Sequence, residues 1–256
     1  MKVALTGGAT GIGASVAARL KEQGATVIAF DVNEPMENVD RWIQVDLGDP
    51  TSISDVVRSA DSGFDALINN AGLPPREGMS EVILRVNYFG LKHFMTAMLD
   101  KLQPGASIVN IASKAGAMWR DNIEEVKALM ALKGTTDLSD FVGRNGIDPV
   151  RAYNLSKEAV IALTMAETER LLRRDIRVNS VSPAAVSTGI LDDFKKAFGD
   201  RAAQAIARAG RPGTSQEIAE VIVFLANPQS GWIKGQDITI DGGMTAMVMT
   251  DAFGLN

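Results

Sequence analysis

Cysteine is absent from this 256-residue sequence, and histidine occurs only once. Without cysteine there is no disulfide framework and no thiolate nucleophile. A lone histidine also leaves too few nitrogen and sulfur ligands for a zinc site, so we expect no metal centre. Any chemistry must therefore come from other side chains.

The chain also lacks a long apolar run and a block of basic residues. No stretch of 18 apolar residues occurs, so we expect no membrane-spanning helix. The net charge of −5 and the isoelectric point near 5.1 argue against a nucleic-acid partner. A strand predicted to begin at Lys2 leaves no room for a secretory signal, so we expect a cytoplasmic protein.

What the sequence does contain is an alternation of strand-like and helix-like segments. Short β-branched runs are predicted to form strands at 3–6, 26–30, 42–45, 66–69, 107–112, 176–181 and 237–240, the third, fourth and fifth each after a helical stretch. Such alternation is typical of βαβ units and a parallel sheet. With 46% apolar residues and no linker or repeat, residues 1–256 are predicted to form a single α/β domain. We expect a Rossmann-type doubly wound parallel sheet with helices on both faces.

A glycine-rich segment lies between the first predicted strand and the helix predicted at 12–23. It reads Thr6-Gly7-Gly8-Ala9-Thr10-Gly11-Ile12-Gly13. Glycine lets the backbone turn sharply and approach a pyrophosphate, and the N-terminus of a helix favours anionic oxygen. Its glycine spacing is TGxxxGxG, which differs from the GxGxxG fingerprint of many dinucleotide-binding sites. The position predicts a dinucleotide site, and the alternative is a tight turn.

Asp31 ends the second predicted strand. An acid at this position can accept hydrogen bonds from the adenosine ribose hydroxyls and repels a 2′-phosphate. The following residues, 32–35, include no arginine or lysine that could bind such a phosphate. The sequence therefore favours NAD over NADP, and the alternative for Asp31 is a turn-forming aspartate.

Tyr153 and Lys157 lie four residues apart in the longest predicted helix, which begins at Asp148-Pro149 and runs to Arg173. Aspartate is a good N-cap and proline fits the first helical position. The spacing places the phenol and the ammonium on one helix face. A neighbouring cation lowers the pKa of a phenol, which suits a general base. On this motif alone, the alternative is an exposed pair on a solvated helix.

Taken in order along the chain, these motifs resemble those of the short-chain dehydrogenase/reductases. Further matching segments are Asp46-Leu47, Asn69-Asn70-Ala71-Gly72, Asn87, Ser113, Asp175-Ile176-Arg177-Val178-Asn179, Ser182-Pro183 and Asp241-Gly242-Gly243. The resemblance implies that Tyr153 is the acid/base, that Ser113 holds the substrate oxygen and that Lys157 holds the nicotinamide ribose. It also implies that Asn87 anchors a water molecule in a proton relay.

The same resemblance implies a set of NAD-binding positions spread over the chain. They are Gly7, Thr10, Gly11, Ile12 and Gly13 in the glycine-rich segment, Asp31, Asp46 and Leu47 at the adenosine, Asn70, Ala71 and Gly72 along the cofactor, Tyr153 and Lys157, and Pro183, Val186 and Thr188 in a loop that holds the carboxamide. In that loop Ala184 replaces the usual glycine. If the position requires positive φ, alanine would be strained there.

Two stretches depart in length from the family pattern. The connection from Gly72 to Asn87 is short, and the one from Ser113 to Tyr153 is long, with a helical insert predicted at about 117–148. Residues 121–124 have the form of a capping box with Asp121 as the cap, and the helix is predicted to end at Gly134. Its apolar face would carry Ile123, Val126 and Met130. We expect this face to be buried at a subunit boundary of a homodimer or homotetramer.

Both departures resemble a narrower group that contains bacterial 3α-hydroxysteroid dehydrogenase/carbonyl reductases and coniferyl-alcohol dehydrogenases. This resemblance implies an NAD-dependent dehydrogenase for a bulky apolar alcohol or its ketone. The alternatives are a catalytically silent dinucleotide-binding regulator, a reductase of a different ketone, and an enoyl reductase. The family also implies a lid at Leu191, Phe194 and Phe198. Met244, Met247 and Met249 are expected either to line the substrate site or to fill a core or interface.

Overall fold

A computed structural model gives the fold of residues 1–255, apart from the side chains at 201, 202 and 205. Its strands are β1 (Lys2–Thr6), β2 (Thr26–Asp31), β3 (Arg41–Gln44), β4 (Phe64–Asn69), β5 (Leu102–Ile111), β6 (Arg177–Pro183), β7 (Val186–Ser187), β8 (Gly213–Thr214) and β9 (Asp237–Ile240). Seven of them form one parallel sheet in the order β3-β2-β1-β4-β5-β6-β9, and β7 pairs with β8. The strand order reverses between β1 and β4, which opens a crevice at the carboxyl ends of the strands.

Helices cover both faces of this sheet, as predicted. They are α1 (Gly11–Glu22), α2 (Pro50–Ser59), α3 (Ser80–Leu84), α4 (Leu91–Met98), α5 (Ile123–Ala131), α6 (Leu138–Arg144), α7 (Pro149–Leu172), α8 (Leu191–Phe198), α9 (Asp200–Ala209), α10 (Ser215–Ala226) and α11 (Met244–Phe253). One core joins α1 and α10 to the sheet, and a larger one joins α2, α4 and α7 to its other face. Among residues 1–255, no helix combines the length and apolar character needed to cross a bilayer.

The predicted helical stretch before β3 is wrong. Residues 32–40 connect β2 to β3 without a helix. The carboxylate of Asp31 accepts a hydrogen bond from the backbone N–H of Asn33 at 3.0 Å, which turns the chain as it leaves β2. Pro35 then opposes a helix by lacking an N–H donor. Local turn chemistry therefore prevails over the alternation expected from the rest of the chain.

The insert is helical, but its predicted cap and end are wrong. Helix α5 begins at Ile123 with Asn122 as its N-cap, and no side chain caps it. The Asn122 amide instead donates to Glu158 on α7 at 2.7 Å, so a tertiary contact replaces the predicted capping box at Asp121. The helix ends at Ala131 rather than at Gly134. A second insert helix, α6, was not predicted.

Much of the apolar surface of the insert is buried within its own chain, and the expected subunit boundary stays a prediction. Val126 and Leu129 from α5 and Leu138 from α6 are fully buried in the core that also contains α7. Of the predicted face, only Val126 is fully buried, and Ile123 and Met130 are half-buried. Helix α5 packs on α7, where Arg151 pairs with Glu125 of α5 and Glu158 of α7, and α6 packs on α3.

Candidate active site

Ser113 and Tyr153 meet at the carboxyl edge of the sheet. Ser113 lies two residues after the end of β5, and Tyr153 lies in the second turn of α7. That helix starts as predicted, because the Asp148 carboxylate accepts the Arg151 N–H at 2.7 Å and Pro149 follows the cap. The segment after Ser113 approaches α7 closely at Gly116, where an added Cβ would lie 2.8 Å from the Lys157 carbonyl carbon. Glycine is therefore required for this packing.

The pKa of Tyr153 is raised rather than lowered, in contrast to the sequence prediction. The side chain is only 6% exposed, and burial raises its pKa to about 12, while a hydrogen bond with Ser113 acts in the opposite direction. The Phe194 ring packs edge-on against the Tyr153 ring, with 5.1 Å between the ring centroids. Tyr153 in this state is a protonated phenol held next to a serine hydroxyl, which suits a proton donor.

Lys157 lies on the same helix face as Tyr153, as the spacing predicts. Its Nζ lies 5.8 Å from the centroid of the Tyr153 ring and donates to the Ile111 carbonyl oxygen at 2.8 Å. Burial lowers the pKa of Lys157 to about 8. The pKa of Tyr153 is set by burial of the phenol and, in the opposite direction, by Ser113, so the ammonium at this distance does not lower it below the ordinary value.

Asn87 lies beside Lys157 at the edge of the crevice. It is fully buried in a π-helical turn, Arg85–Gly90, and its amide exchanges hydrogen bonds with the Leu73 backbone at 2.7 and 3.0 Å. A Cβ added at Gly72 would lie 3.3 Å from Asn87 Oδ1 and 3.6 Å from Lys157 Nζ. Asn87, Gly72 and Lys157 are therefore neighbours, and the water-anchoring role of Asn87 stays a prediction.

The glycine-rich segment folds into a tight turn against β4, at the point where the strand order reverses. A Cβ added at Gly13 would lie 1.8 Å from the Gly7 carbonyl oxygen, and Gly7 itself has φ +70°. The Asn70 amide donates to that same oxygen at 2.7 Å. The turn leaves the N-terminus of α1, at Gly11, beside Thr188, whose Cγ2 would lie 3.5 Å from an added Cβ.

Thr6 is a site residue that the sequence reasoning did not single out. Its hydroxyl oxygen accepts the backbone N–H groups of Asn70 and Ala71 at 3.0 and 3.1 Å. These bonds fix the loop after β4 to the start of the glycine-rich turn. A hydroxyl at the last residue of β1, immediately before Gly7, is the signal that could have identified it.

Asp31 lies at the end of β2 beside the same turn. It is 9% exposed, and its Oδ2 accepts the Ala9 N–H at 2.9 Å. The carboxylate thus orders the glycine-rich segment in addition to any contact with a ribose. The combination of a turn that excludes side chains, a free helix N-terminus and a carboxylate at the end of the second strand fits a dinucleotide without a 2′-phosphate.

The remaining predicted cofactor positions border the carboxyl edge of the sheet. Asp46 is exposed, with its carboxylate accepting the Gly48 N–H at 2.7 Å, and Leu47 is buried. The others are Thr10 at the N-cap of α1, Ile12 in its first turn, and Pro183, Val186 and Thr188 on the segment leaving β6. Within residues 1–255, the non-glycine residues with positive φ are those at positions 38 and 175. Ala184 therefore does not have positive φ, and the backbone strain considered for this position is absent.

Helix α8 lies beside Tyr153, where the resemblance implies a lid, and the lid role itself stays a prediction. Phe194 covers Tyr153, and Phe198 stacks on Phe194 with 6.3 Å between the ring centroids. A cavity of about 240 Å³ lies behind the loop that leaves β6, lined in part by Val186, Arg211 and Met244. Helix α11 contains no fully buried residue, so its methionines do not fill a core.

Known proteins resemble this chain along nearly its whole length. A family profile described as short chain dehydrogenase matches residues 1–124, and one described as Enoyl-(Acyl carrier protein) reductase matches residues 122–245. The chain is 35% identical over 247 residues to the coniferyl-alcohol dehydrogenase of Pseudomonas sp. (strain HR199 / DSM 7063), covering 96% of each chain. It is 27% identical to the 3-alpha-hydroxysteroid dehydrogenase/carbonyl reductase of Comamonas testosteroni, covering 98% of this chain and 99% of the relative.

A solved structure shares the fold over nearly the whole length. The 3-alpha-hydroxysteroid dehydrogenase from Pseudomonas sp. B-0831, complexed with NADH, has a TM-score of 0.85 and 28% identity, covering 97% of this chain and 98% of that one. With a relative more than 30% identical along almost its entire length, this chain belongs to the short-chain dehydrogenase family.

Proposed function

We propose that this protein is an NAD-dependent oxidoreductase that interconverts a bulky apolar alcohol and its carbonyl compound. The observation that carries the proposal is the convergence of Ser113, Tyr153 and Lys157 beside the glycine-rich crevice. The solved relative with bound NADH and the position of Asp31 support NAD as the cofactor. The single sheet that positions all these residues supports one catalytic domain.

When bound, NAD supplies the hydride-transfer chemistry and a positive charge on its oxidised nicotinamide ring. Tyr153 donates a proton to the carbonyl oxygen in the reducing direction and accepts it from the alcohol in the oxidising direction. The Ser113 hydroxyl holds the same oxygen and stabilises its developing negative charge. Lys157 orients the cofactor ribose and, with Asn87, passes the proton toward solvent.

The substrate class follows from the lid and from the relatives. Phe194 and Phe198 present aromatic surface next to the Tyr153 phenol, which suits an apolar, ring-containing alcohol. The named relatives act on coniferyl alcohol and on 3α-hydroxysteroids. We therefore propose an aromatic allylic alcohol or a hydroxysteroid as substrate, with a different ketone as the alternative.

An alcohol panel with NAD, followed by NADH formation at alkaline pH, tests this proposal. Turnover of at least one aromatic allylic alcohol or hydroxysteroid is expected, and Tyr153→Phe should lower it at least about a hundredfold, the usual contribution of general acid–base catalysis. Tyr88→Phe is the matched control, because Tyr88 is the only other tyrosine and is fully buried in the core.

Three outcomes contradict the proposal. Absence of turnover with NADH binding intact supports the alternative of a silent dinucleotide-binding regulator. Reduction of a carbon–carbon double bond in place of a carbonyl group supports an enoyl reductase. A Tyr153→Phe variant that keeps more than about a tenth of wild-type turnover refutes the assigned acid/base, given the expected loss.

A further inference from the structure

An ion pair joins the lid helix α8 to the loop that follows β4. Arg76 Nη2 and Nε lie 2.8 and 3.2 Å from Asp193 Oδ2. The two residues are far apart in sequence and belong to opposite sides of the site. We propose that Arg76 is a positioning residue that latches α8 over Tyr153 through Asp193, so that the latch controls access to the proton donor.

The Arg76 side of the pair is firmly held. Pro74 and Pro75, which immediately precede Arg76, are buried, and proline restricts the backbone at both positions. Leu73 is fixed to Asn87 by hydrogen bonds in both directions. Arg76 therefore extends from a stiff base that is itself bonded to the proposed proton relay.

The α8 side is loosely held. None of the residues of α8, all of which are described, is fully buried. The helix lies between Gly189 and Gly199, and Gly199 has φ +54°, a conformation that favours glycine. Its apolar attachment is limited to half-buried side chains such as Phe194 and Phe198. A segment with so few buried contacts opens locally at low cost, which gives one ion pair a measurable influence.

The latch acts on Tyr153 through the neighbour of Asp193. Phe194 follows Asp193 in the sequence, and its ring is the one that covers the Tyr153 ring. Holding the Asp193 carboxylate therefore holds Phe194 in place and leaves Tyr153 shielded. Release of the pair lets α8 move away as a unit, since the two aromatic rings of the lid are stacked on each other.

The pair is partly exposed, which sets both its strength and its salt dependence. The side chains of Arg76 and Asp193 are 49% and 31% exposed. Pairs of this kind shift an equilibrium by about 1.4- to 5-fold in favour of the paired state. Their attraction is screened at about 1 M salt, where the Debye length is roughly 3 Å.

Hydrogen exchange of the free, full-length protein tests the latch without substrate or cofactor. The amides of α8 should exchange about 1.4- to fivefold faster in Arg76→Gln and in Asp193→Asn than in wild type at low salt, as expected for loss of such a pair. The double variant should exchange no faster than Asp193→Asn. Arg76→Lys, which keeps the charge, should restore most of the protection, and high salt should remove the difference.

Asp192→Asn is the matched control. Asp192 also lies in the first turn of α8, but it pairs with Lys195 of the same helix at 3.2 Å. Its removal costs interactions within α8 that are similar in size to the latch but do not involve Arg76, so it should accelerate exchange equally in wild type and in Arg76→Gln. Asp193→Asn, by contrast, should accelerate exchange less in Arg76→Gln than in wild type. Equal acceleration by Asp193→Asn in both backgrounds, or no acceleration in Arg76→Gln, overturns the inference.

The effect of the latch on catalysis rests on the proposed function, but the latch and the enzyme assignment are refuted by different results. An active enzyme whose α8 exchange is unaffected by Arg76→Gln refutes the latch alone. A protein inactive on every alcohol whose α8 exchange responds as described refutes the enzyme assignment alone.

Discussion

Replacing Lys157 with methionine should stabilise the protein more at neutral pH than at alkaline pH. The ammonium is 5% exposed, and burial lowers its pKa from 10.5 to about 8. Between these values the unfolded chain binds more protons than the folded one, so the stability of wild type rises with pH over this window. Methionine has no such proton linkage. It preserves most of the apolar stem, but it loses the bond to Ile111.

The magnitude follows from the two pKa values. From about pH 7 to about pH 9.5, the linkage equation gives wild type a gain of about 2 kcal/mol in the free energy of unfolding that the variant lacks. The lost hydrogen bond and the altered packing contribute equally at both pH values. They therefore cancel in the difference of differences, which is the wild-type-minus-variant free energy of unfolding at about pH 9.5 less the same quantity at about pH 7.

Urea unfolding of wild type and Lys157→Met at both pH values measures this quantity directly. Lys133→Met serves as the control, because the Lys133 side chain lies at the surface of the folded chain. A difference of differences below about 0.5 kcal/mol for Lys157→Met would show that the folded protein does not penalise the buried ammonium, and the reasoning from desolvation would be wrong.

Three further predictions concern the cofactor, the insert and the assembly. Asp31→Ser should raise the NADP/NAD ratio of kcat/KM by removing repulsion of a 2′-phosphate, and a wild-type preference for NADP would refute this role. Arg151→Met should lower the free energy of unfolding by about 3–5 kcal/mol, because it removes the cation paired with the buried Glu158 carboxylate and leaves the neutral Asn122 amide as a donor. Arg144→Met, which breaks an exposed pair, should cost less than about 1 kcal/mol, and equal losses in denaturant unfolding would contradict the buried-pair argument. Light scattering should give the mass of a dimer rather than a tetramer, because α5 of the insert occupies one face of the catalytic helix α7, and a monomer or a tetramer would contradict this expectation.

Much of the candidate site could be predicted because its signals are local. The glycine-rich turn requires residues without a side chain at Gly7 and Gly13, and this requirement is visible in the sequence. The start of α7 at Asp148-Pro149 is likewise set by neighbouring residues. The four-residue spacing of Tyr153 and Lys157 then places both on one face of a helix.

The pKa of Tyr153 could not be predicted in this way, because it depends on burial. Phe194 comes from a segment distant in sequence, and it removes water from the phenol. The pairing of Arg76 with Asp193 has the same character, since neither residue belongs to a recognisable motif. Asn122 is a third example: a contact with Glu158 on another helix displaces the local capping pattern.

The sequence by itself determined the strand–helix alternation, the glycine-rich turn, the acid that ends β2 and the order of the catalytic motifs. These features depend on backbone freedom, side-chain periodicity and capping within a few residues. The tertiary structure alone decided where the insert buries its apolar side chains, which lie against α3 and α7 of the same chain. It also decided the pKa shifts of Tyr153 and Lys157 and the packing of Phe194 against Tyr153. Desolvation and long-range ion pairing depend on segments that come together only in the folded chain, so no local pattern encodes them.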